Sequence, residues 1–418
     1  NTSPRCRSVI GSTTERAPSP VEFSIPIERR GLKYFRRDVI YCTFICSQLS
    51  LFSRAPGHRL WHGSTDPTDR KNKARTRPMS TQQLDIDSLN EYLSQHIPGY
   101  QGPLTADKFP GGQSNPTFKL TAGDTSYVLR RKPPGELLKS AHAVDREFRV
   151  ISALQDTDVP VPRTYVLCED DSVIGSMFYV MEYLDGRIMW DPTLPEASDN
   201  EERAAIFDAM NQTMAALHNV DVEAVGLADY GKPGNYFERQ LGRWTKQYRA
   251  SEIDHIGAME TLMEWLPANM PEDDGTVGLV HGDYRLDNMM FHPKESRVIA
   301  LLDWELSTLG HPLADLANQC MAWMLPRDAA GVAGLQGVDR KALGIPTDEE
   351  YIARYCERTG RDGIDNWNFY IVFSLFRLAA ILQGIAKRAQ IGTASSAEAE
   401  ARGKAVTPLA EMAVALID

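Results

Sequence analysis

The chain is 418 residues long, 42% hydrophobic and 24% charged, with 45 Lys and Arg against 56 Asp and Glu and a formal net charge of −11. That is the composition of a globular chain with room for one large or two medium domains. The charge is uneven: residues 1–78 hold 15 basic and 6 acidic side chains, leaving 30 against 50 in 79–418. So acidic a body argues against a nucleic-acid partner, whose phosphates need a basic footprint.

Residues 1–78 contain no Met and no sustained helical or strand period. The first Met is Met79, followed by Ser80-Thr81-Gln82-Gln83-Leu84 at a natural domain start. The expectation is a largely disordered extension, a gene-model artefact of translated upstream sequence. The rival reading is an Arg- and Ser-rich, acid-poor targeting presequence. The first places the protein in the cytoplasm, the second in the mitochondrion. The apolar run Val39–Phe52 is shorter than the roughly 20 residues a membrane span needs, and no other run is expected to span. Cys6, Cys42 and Cys46 sit in this stretch. Cys168, Cys320 and Cys356 are widely separated and form no metal-ligand pattern, which fits a reducing compartment.

Beyond it, Ile86, Leu89, Tyr92 and Leu93 fall at helical spacing in a short opening helix, Asp85–His96. Strand-like pieces follow at Leu104–Phe109, Thr117–Thr121 and Ser126–Arg131, the last stopped by Pro133-Pro134, which cannot donate to a ladder. A helix is expected over about Ser140–Leu154, then strands at Arg163–Cys168 and Phe178–Tyr183. The order β-β-β-α-β-β makes a compact α+β lobe over 79–186. After Gly186 helices dominate, at roughly 199–219, 235–250, 253–266, 347–359, 366–390 and 396–417. They form a larger lobe over 187–418 with one hairpin-like insert, Leu279–Leu302. A small β-rich lobe before a larger helical one suggests a ligand cleft between them.

The insert carries the chemistry. Leu279-Val280 leads into His281-Gly282-Asp283, with Asn288 five positions after Asp283. Met289-Met290-Phe291 and Val298–Leu302 read as paired strands ending in Asp303-Trp304-Glu305. Two carboxylates and a carboxamide at the ends of a hairpin can converge on one spot. Such hard oxygen donors suit Mg²⁺, which takes one or two carboxylates plus substrate phosphates. Asp283 is then left to accept the proton of an attacking hydroxyl.

This arrangement resembles the H-R-D-x-x-x-x-N catalytic loop and D-F-G metal site of protein kinases. Its H-G-D and D-W-E forms are more similar to the aminoglycoside phosphotransferase and choline kinase families. The resemblance implies an α+β, protein-kinase-like bilobal fold and a small-molecule kinase using ATP and Mg²⁺. It makes Asp283 the catalytic base and Asn288 and Asp303 the metal ligands. It gives His281 a loop-shaping role, and Asp315 that of a brace from the following helix.

For the nucleotide, Gly111-Gly112-Gln113-Ser114-Asn115 is a turn of flexible backbone and small donors. By resemblance to V-A-I-K, Val128 meets adenine and Arg130 the phosphates. The arginine departs from the usual lysine, and Lys132, on the same strand face, competes for the role. Glu147 is the preferred acidic partner on the next helix, with Asp145 as the fallback. Val180-Met181-Glu182-Tyr183-Leu184 reads as the hinge, with the backbone of Glu182 and Tyr183 at the adenine edge.

A narrower likeness rests on Phe109–Thr117, Tyr127–Gly135 and Asp303-Trp304-Glu305-Leu306-Ser307-Thr308-Leu309-Gly310-His311-Pro312. These segments are similar to the kinase-like domain of acyl-CoA dehydrogenase family members 10 and 11, over roughly residues 85–415. The expectation is a free-standing member of that branch. For the fused members the branch implies phosphorylation of a hydroxyl on a hydroxyacyl-CoA. The alternatives are a nucleotide-binding scaffold of weak catalysis and a choline- or aminoglycoside-type kinase. The acceptor pocket is assigned to the C-terminal helices, where Gln383 and Lys387 interrupt an apolar stripe, with Arg377 beside them.

Overall fold

In the computed structural model, the structure describes residues 84–109, 115–133, 143–327, 333–392 and 402–417. The expected disorder of 1–78 and the turn residues Gly111, Gly112, Gln113 and Ser114 lie outside them.

The chain opens with α1 (Ile86–His96), whose first turn is capped by Asp85 accepting from Ser88 N at 3.0 Å. A five-stranded antiparallel sheet follows: β1 (Leu104–Lys108), β2 (Thr117–Ala122), β3 (Thr125–Arg131), β4 (Thr164–Cys168) and β5 (Phe178–Glu182), in the order β1-β2-β3-β5-β4. Placing β3 centrally, between β2 and β5, fixes the register that matters. Val128 lies opposite Met181, and Arg130 opposite Tyr179. One sheet face buries Phe118, Leu120, Leu129, Phe178 and Val180 with Leu89 and Leu93 of α1. The other face therefore presents Val128 and Arg130 inward, the two-residue period of a strand at work.

That inward face is covered by α2 (Val144–Leu154). Its apolar residues Val144, Val150, Ile151 and Leu154 belong to the same buried cluster as the helices that follow, so one core runs from the sheet into the helical region. The helices are α3 (Asn200–His218), α4 (Tyr236–Ser251), α5 (Gly257–Ala268), α6 (Leu313–Met324), α7 (Asp348–Thr359), α8 (Trp367–Gln390) and α9 (Val406–Val414). Their caps are written in the sequence. Asp199 accepts from Glu202 N at 2.8 Å, and Thr347 with Glu350 forms a capping box at α7.

Between α5 and α6 lie short strands. Here β8 (Met289–Phe291) pairs with β9 (Val298–Leu301), and β6 (Arg187–Ile188) adds to β8. The expected hairpin needs one correction. Its leading strand, β7 (Gly278–Val280), pairs outside it with β10 (Thr308–Gly310). The segment between β7 and β8 is thus free of ladder bonds and becomes the catalytic-loop candidate. A second correction concerns membranes. Trp367–Gln390 is long and apolar enough to cross one, yet 89% of its most apolar stretch is buried in the fold. It packs against α4, α5, α6 and α9, so its all-round apolarity is that of a core helix.

Candidate active site

The loop between β7 and β8 is held by Asp315, in the first turn of α6. The Asp315 carboxylate accepts from the backbone of His281 at 2.6 Å and of Gly282 at 2.9 Å. Burial alone would raise its pKa, but His218 at 3.3 Å and the His281 amide outweigh that and hold it below the ordinary value. His281 is fully buried. Its Nε2 lies 2.8 Å from the Leu302 carbonyl, and its Nδ1 accepts from Asp283 N at 3.3 Å, so the imidazole links the loop to the end of β9. Gly282 has φ +81°, and a Cβ there would lie 2.8 Å from the Leu306 carbonyl. Only glycine suits that position. Tyr284, fully buried, anchors the far side by donating to the Met210 carbonyl at 2.6 Å.

Held in this way, Asp283 projects beside Asn288. The Asn288 amide donates to the Asp283 carbonyl at 2.8 Å and to its carboxylate at 3.0 Å. Burial raises the Asp283 carboxyl above its ordinary value, with Arg285 opposing the rise. Arg285 itself is engaged by Asp287, two residues on. These two side chains, which carry no assigned role in the sequence, form a local pair that closes the turn.

Asp303 follows β9 in the left-handed region, at φ +65° and ψ +63°. This is an uncommon conformation for a non-glycine residue, and such strain gathers at functional sites. Arg130 meets it from β3, with Nη2 2.9 Å from the Asp303 carboxylate. The same guanidinium sits 2.9 Å from Glu147 of α2 through Nε, an ion pair by distance without the direction of a hydrogen bond. Glu147 also accepts from Asn115 at 2.9 Å and from the Tyr179 hydroxyl at 3.2 Å. Burial pushes its carboxyl up to about 6 against the pull of Arg130. One arginine thus ties the sheet, α2 and the loop that carries Asp303 together. Asp145, the fallback partner, takes no part in that ion pair. Among the described residues Lys132 gives its backbone N–H to the Met177 carbonyl at 2.9 Å and makes no side-chain ion pair.

These groups sit at one end of a cleft of about 830 Å³, open to solvent and walled by Val128, Ile151, Met181, Met290 and Leu301. Asn115, Arg130, Glu147 and Asp303 line it at that end, and Glu182, Tyr183 and Leu184 at the other. The Glu182 N–H already donates to the Arg163 carbonyl at 2.7 Å, and the backbone of Tyr183 and Leu184 follows it along the cleft. Tyr183 also lies under Lys119, 4.1 Å from the ring centre.

The charge at the floor of the cleft is out of balance. Asp303, Glu147 and Glu305 converge around Arg130, with Asp283 within electrostatic reach of Asp303 and Glu305, and burial with the Asp303 charge pushes the Glu305 carboxyl up to about 9. Glu305 Oε1 is buried with no hydrogen-bond partner. A divalent cation would relieve this crowding, and the oxygen donors fit the preference of Mg²⁺.

Of the acceptor residues expected on α8, Gln383 is a structural buttress, donating to the Ser251 carbonyl at 3.0 Å, and Lys387 reaches only Gln390. Arg377 is the one that reaches the candidate catalytic loop. Its Nη2 donates to the Gly282 carbonyl at 2.7 Å, immediately before Asp283. A separate cavity of about 670 Å³, lined by Tyr236, Glu238, Glu272, Asp273, His311 and Tyr370 among others, contains no catalytic-loop residue.

Comparison with known proteins adds three findings. The profile of the phosphotransferase enzyme family matches residues 105–365. Acyl-CoA dehydrogenase family member 10 of Mus musculus is 49% identical over 340 residues, covering 81% of this chain and 32% of that protein. Family member 11 of Homo sapiens is 46% identical over 338 residues, covering 80% and 43%. The chain therefore spans less than half the length of these relatives. Among solved structures, a Ralstonia eutropha JMP134 protein provisionally named an aminoglycoside phosphotransferase is 52% identical. It superposes with a TM-score of 0.75 over 80% of this chain and 98% of its own. A spectinomycin phosphotransferase solved with ADP and spectinomycin superposes with a TM-score of 0.54 over 82% of this chain and 99% of its own; at 12% identity it shares the fold alone.

Proposed function

This chain belongs to the phosphotransferase enzyme family, and from that premise we propose that it moves the γ-phosphoryl group of ATP to a hydroxyl of a small molecule. The observation that carries this reading is the Arg130 bridge between Glu147 and Asp303, at 2.9 Å each, set in the same buried charge cluster as Asp283 and Asn288. Phosphoryl transfer asks mainly for positioning and for charge stabilisation around the γ-phosphate. A nucleotide in the cleft would lay its base between Val128 on one side and Met290 and Leu301 on the other, with its edge at Tyr183 and Leu184. Its phosphates would then point toward Arg130.

Asn288 and Asp303 would hold Mg²⁺, with Glu305 close by. When bound, the ion would neutralise charge on the phosphate oxygens. Asp283 orients the acceptor hydroxyl and takes its proton as the oxygen attacks. Its burial suits it to this role, because a carboxylate of raised pKa is the stronger base. Asn288 holds the Asp283 carboxylate in place for that step. The acceptor class we favour is a hydroxyacyl-CoA. What supports it is kinship with two proteins named as acyl-CoA dehydrogenases.

Asp283→Ala should lower phosphoryl transfer by about 10²- to 10⁴-fold, with ATP affinity retained in calorimetric titration. Turnover that survives the substitution would remove Asp283 from the base role. Failure to bind ATP with or without Mg²⁺ would remove the kinase reading itself.

A further inference from the structure

Two arginines stand on the acceptor side of the catalytic loop. Arg377 rises from the middle of α8 and gives one hydrogen bond, at 2.7 Å, to the Gly282 carbonyl. Its Cζ lies 5.7 Å from the centre of the Trp244 indole, and that of Arg243, one residue before Trp244 on α4, lies 5.4 Å from the same centre. Two guanidinium groups therefore share one aromatic ring, where cation–π attraction to the ring works against their mutual repulsion.

Neither arginine forms an ion pair among the described residues. Arg146, Arg163, Arg203, Arg239 and Arg361 likewise have no ion pair among the described residues, so what marks Arg377 and Arg243 is their shared position on Trp244 beside the loop. A further donor is unmet in the same place: the indole N–H of Trp244 is buried with no acceptor among the described residues. Tyr236 completes the neighbourhood, its phenol within electrostatic reach of Arg377 and Arg243 and also of Asp315, whose carboxylate is already engaged by the His281 and Gly282 amides. Cations, a buried N–H and a phenol, next to the residue that activates the hydroxyl, have the chemistry of an oxyanion seat.

We propose that the acceptor carries an oxyanion, a carboxylate or a phosphate, that seats against Arg377 and Arg243 at Trp244 and so delivers its hydroxyl to Asp283. The proposal rests on the phosphotransfer reading and deepens it by giving the acceptor a charge. It sets this site apart from one built for a cationic acceptor, which would need carboxylates where these arginines stand. Arg377 acts in two ways, since its bond to the Gly282 carbonyl also couples occupation of the seat to the placement of Asp283.

The test compares four acceptors with the full chain, ATP and Mg²⁺: 3-hydroxybutyryl-CoA, free 3-hydroxybutyrate, the uncharged N-acetylcysteamine thioester of the same acid, and choline. One or both anionic compounds should react with kcat/KM at least about tenfold above the other two, the scale of one hydrogen bond to a charged group. Reaction of the free acid identifies a carboxylate as the seated group. Reaction of the CoA thioester alone identifies its phosphates. Arg377→Gln should raise KM for the anionic acceptor about tenfold or more while calorimetry finds ATP affinity unchanged, and Arg377→Lys should recover part of the loss. Arg243→Gln, at an exposed position that makes no hydrogen bond among the described residues, should shift KM in the same direction without touching stability. The proposal is overturned if choline or the uncharged thioester reacts as well as the anions. It is also overturned if Arg377→Gln lowers kcat alike for every acceptor, or if no anion reacts although ATP binds. Failure to bind ATP overturns the phosphotransfer reading, and the oxyanion seat with it.

Discussion

Arg130 is the residue on which the nucleotide end of the site turns. It is buried, and burial works against its charge, but Glu147 and Asp303 more than compensate and keep it a cation. Arg130→Met would leave two buried carboxylates without their partner, a change that costs about 3–5 kcal/mol. Urea denaturation should show that loss directly, while Arg130→Lys should fall between, because an ammonium is a point charge and cannot fork to both carboxylates. A lysine variant as stable as the native chain would mean that one of the two contacts contributes nothing. At this scale the sequence is most informative where chemistry and spacing coincide. Asp283, Asn288 and Asp303 can be proposed from the sequence because a five-residue interval and a hairpin leave few other uses for them. Arg377 cannot be, because nothing in a helix 95 residues further on announces that its guanidinium will meet the Gly282 carbonyl.

Elements are read by period, and their legibility follows their length. The long helices and the five strands of the sheet show through the sequence, because each has enough residues for a 3.6- or 2-residue pattern to repeat. The three-residue strands β7 and β10 have no room for a pattern, and their pairing joins residues about 30 apart, so β7 is easily assigned to the neighbouring hairpin. That pairing frees the catalytic loop, and the loop depends on Gly282. Gly282→Ala introduces both a strained backbone and a clash with Leu306. It should lower the melting temperature and remove most phosphoryl transfer even where the variant remains folded. A second prediction concerns the segment after β6, tied to the end of α6 by Asp191 and Arg327. The Arg327 contact, helped by Thr193, depresses the Asp191 carboxyl to about 2. A carboxylate whose pKa is lower in the folded than in the unfolded chain adds stability above the unfolded value of about 3.9. It loses that stability as pH falls through the folded value. Asp191→Asn should therefore destabilise the protein at pH 7 by at most about 1 kcal/mol, since the pair is partly exposed. The gap to the native chain should close between pH 4 and pH 2, which urea titrations across that range can follow.

At the scale of the whole molecule, the single core running from α2 into the helical region makes nucleotide binding and global stability parts of one equilibrium. ATP with Mg²⁺ at 100 times its dissociation constant should stabilise the fold by about 2.7 kcal/mol, visible as a rise in melting temperature. In Asp303→Asn the Mg²⁺-dependent part of that rise should disappear. The acidic body is legible from composition alone, whereas the two arginines that oppose it at the acceptor side emerge only when α4 and α8 are packed together.

The seating of α2 has one more consequence. Arg146 bonds from this helix to the Tyr230 carbonyl at 2.8 Å and to the Ser307 carbonyl at 3.4 Å, Arg149 bonds to the Gly226 carbonyl at 2.8 Å, and Tyr230 returns a bond to the Arg146 carbonyl. The helix that supplies Glu147 is thus bolted to the helical region along its length. Signalling kinases are switched by swinging the corresponding helix in and out. In this structure the helix is engaged, held by the bonds of Arg146 and Arg149.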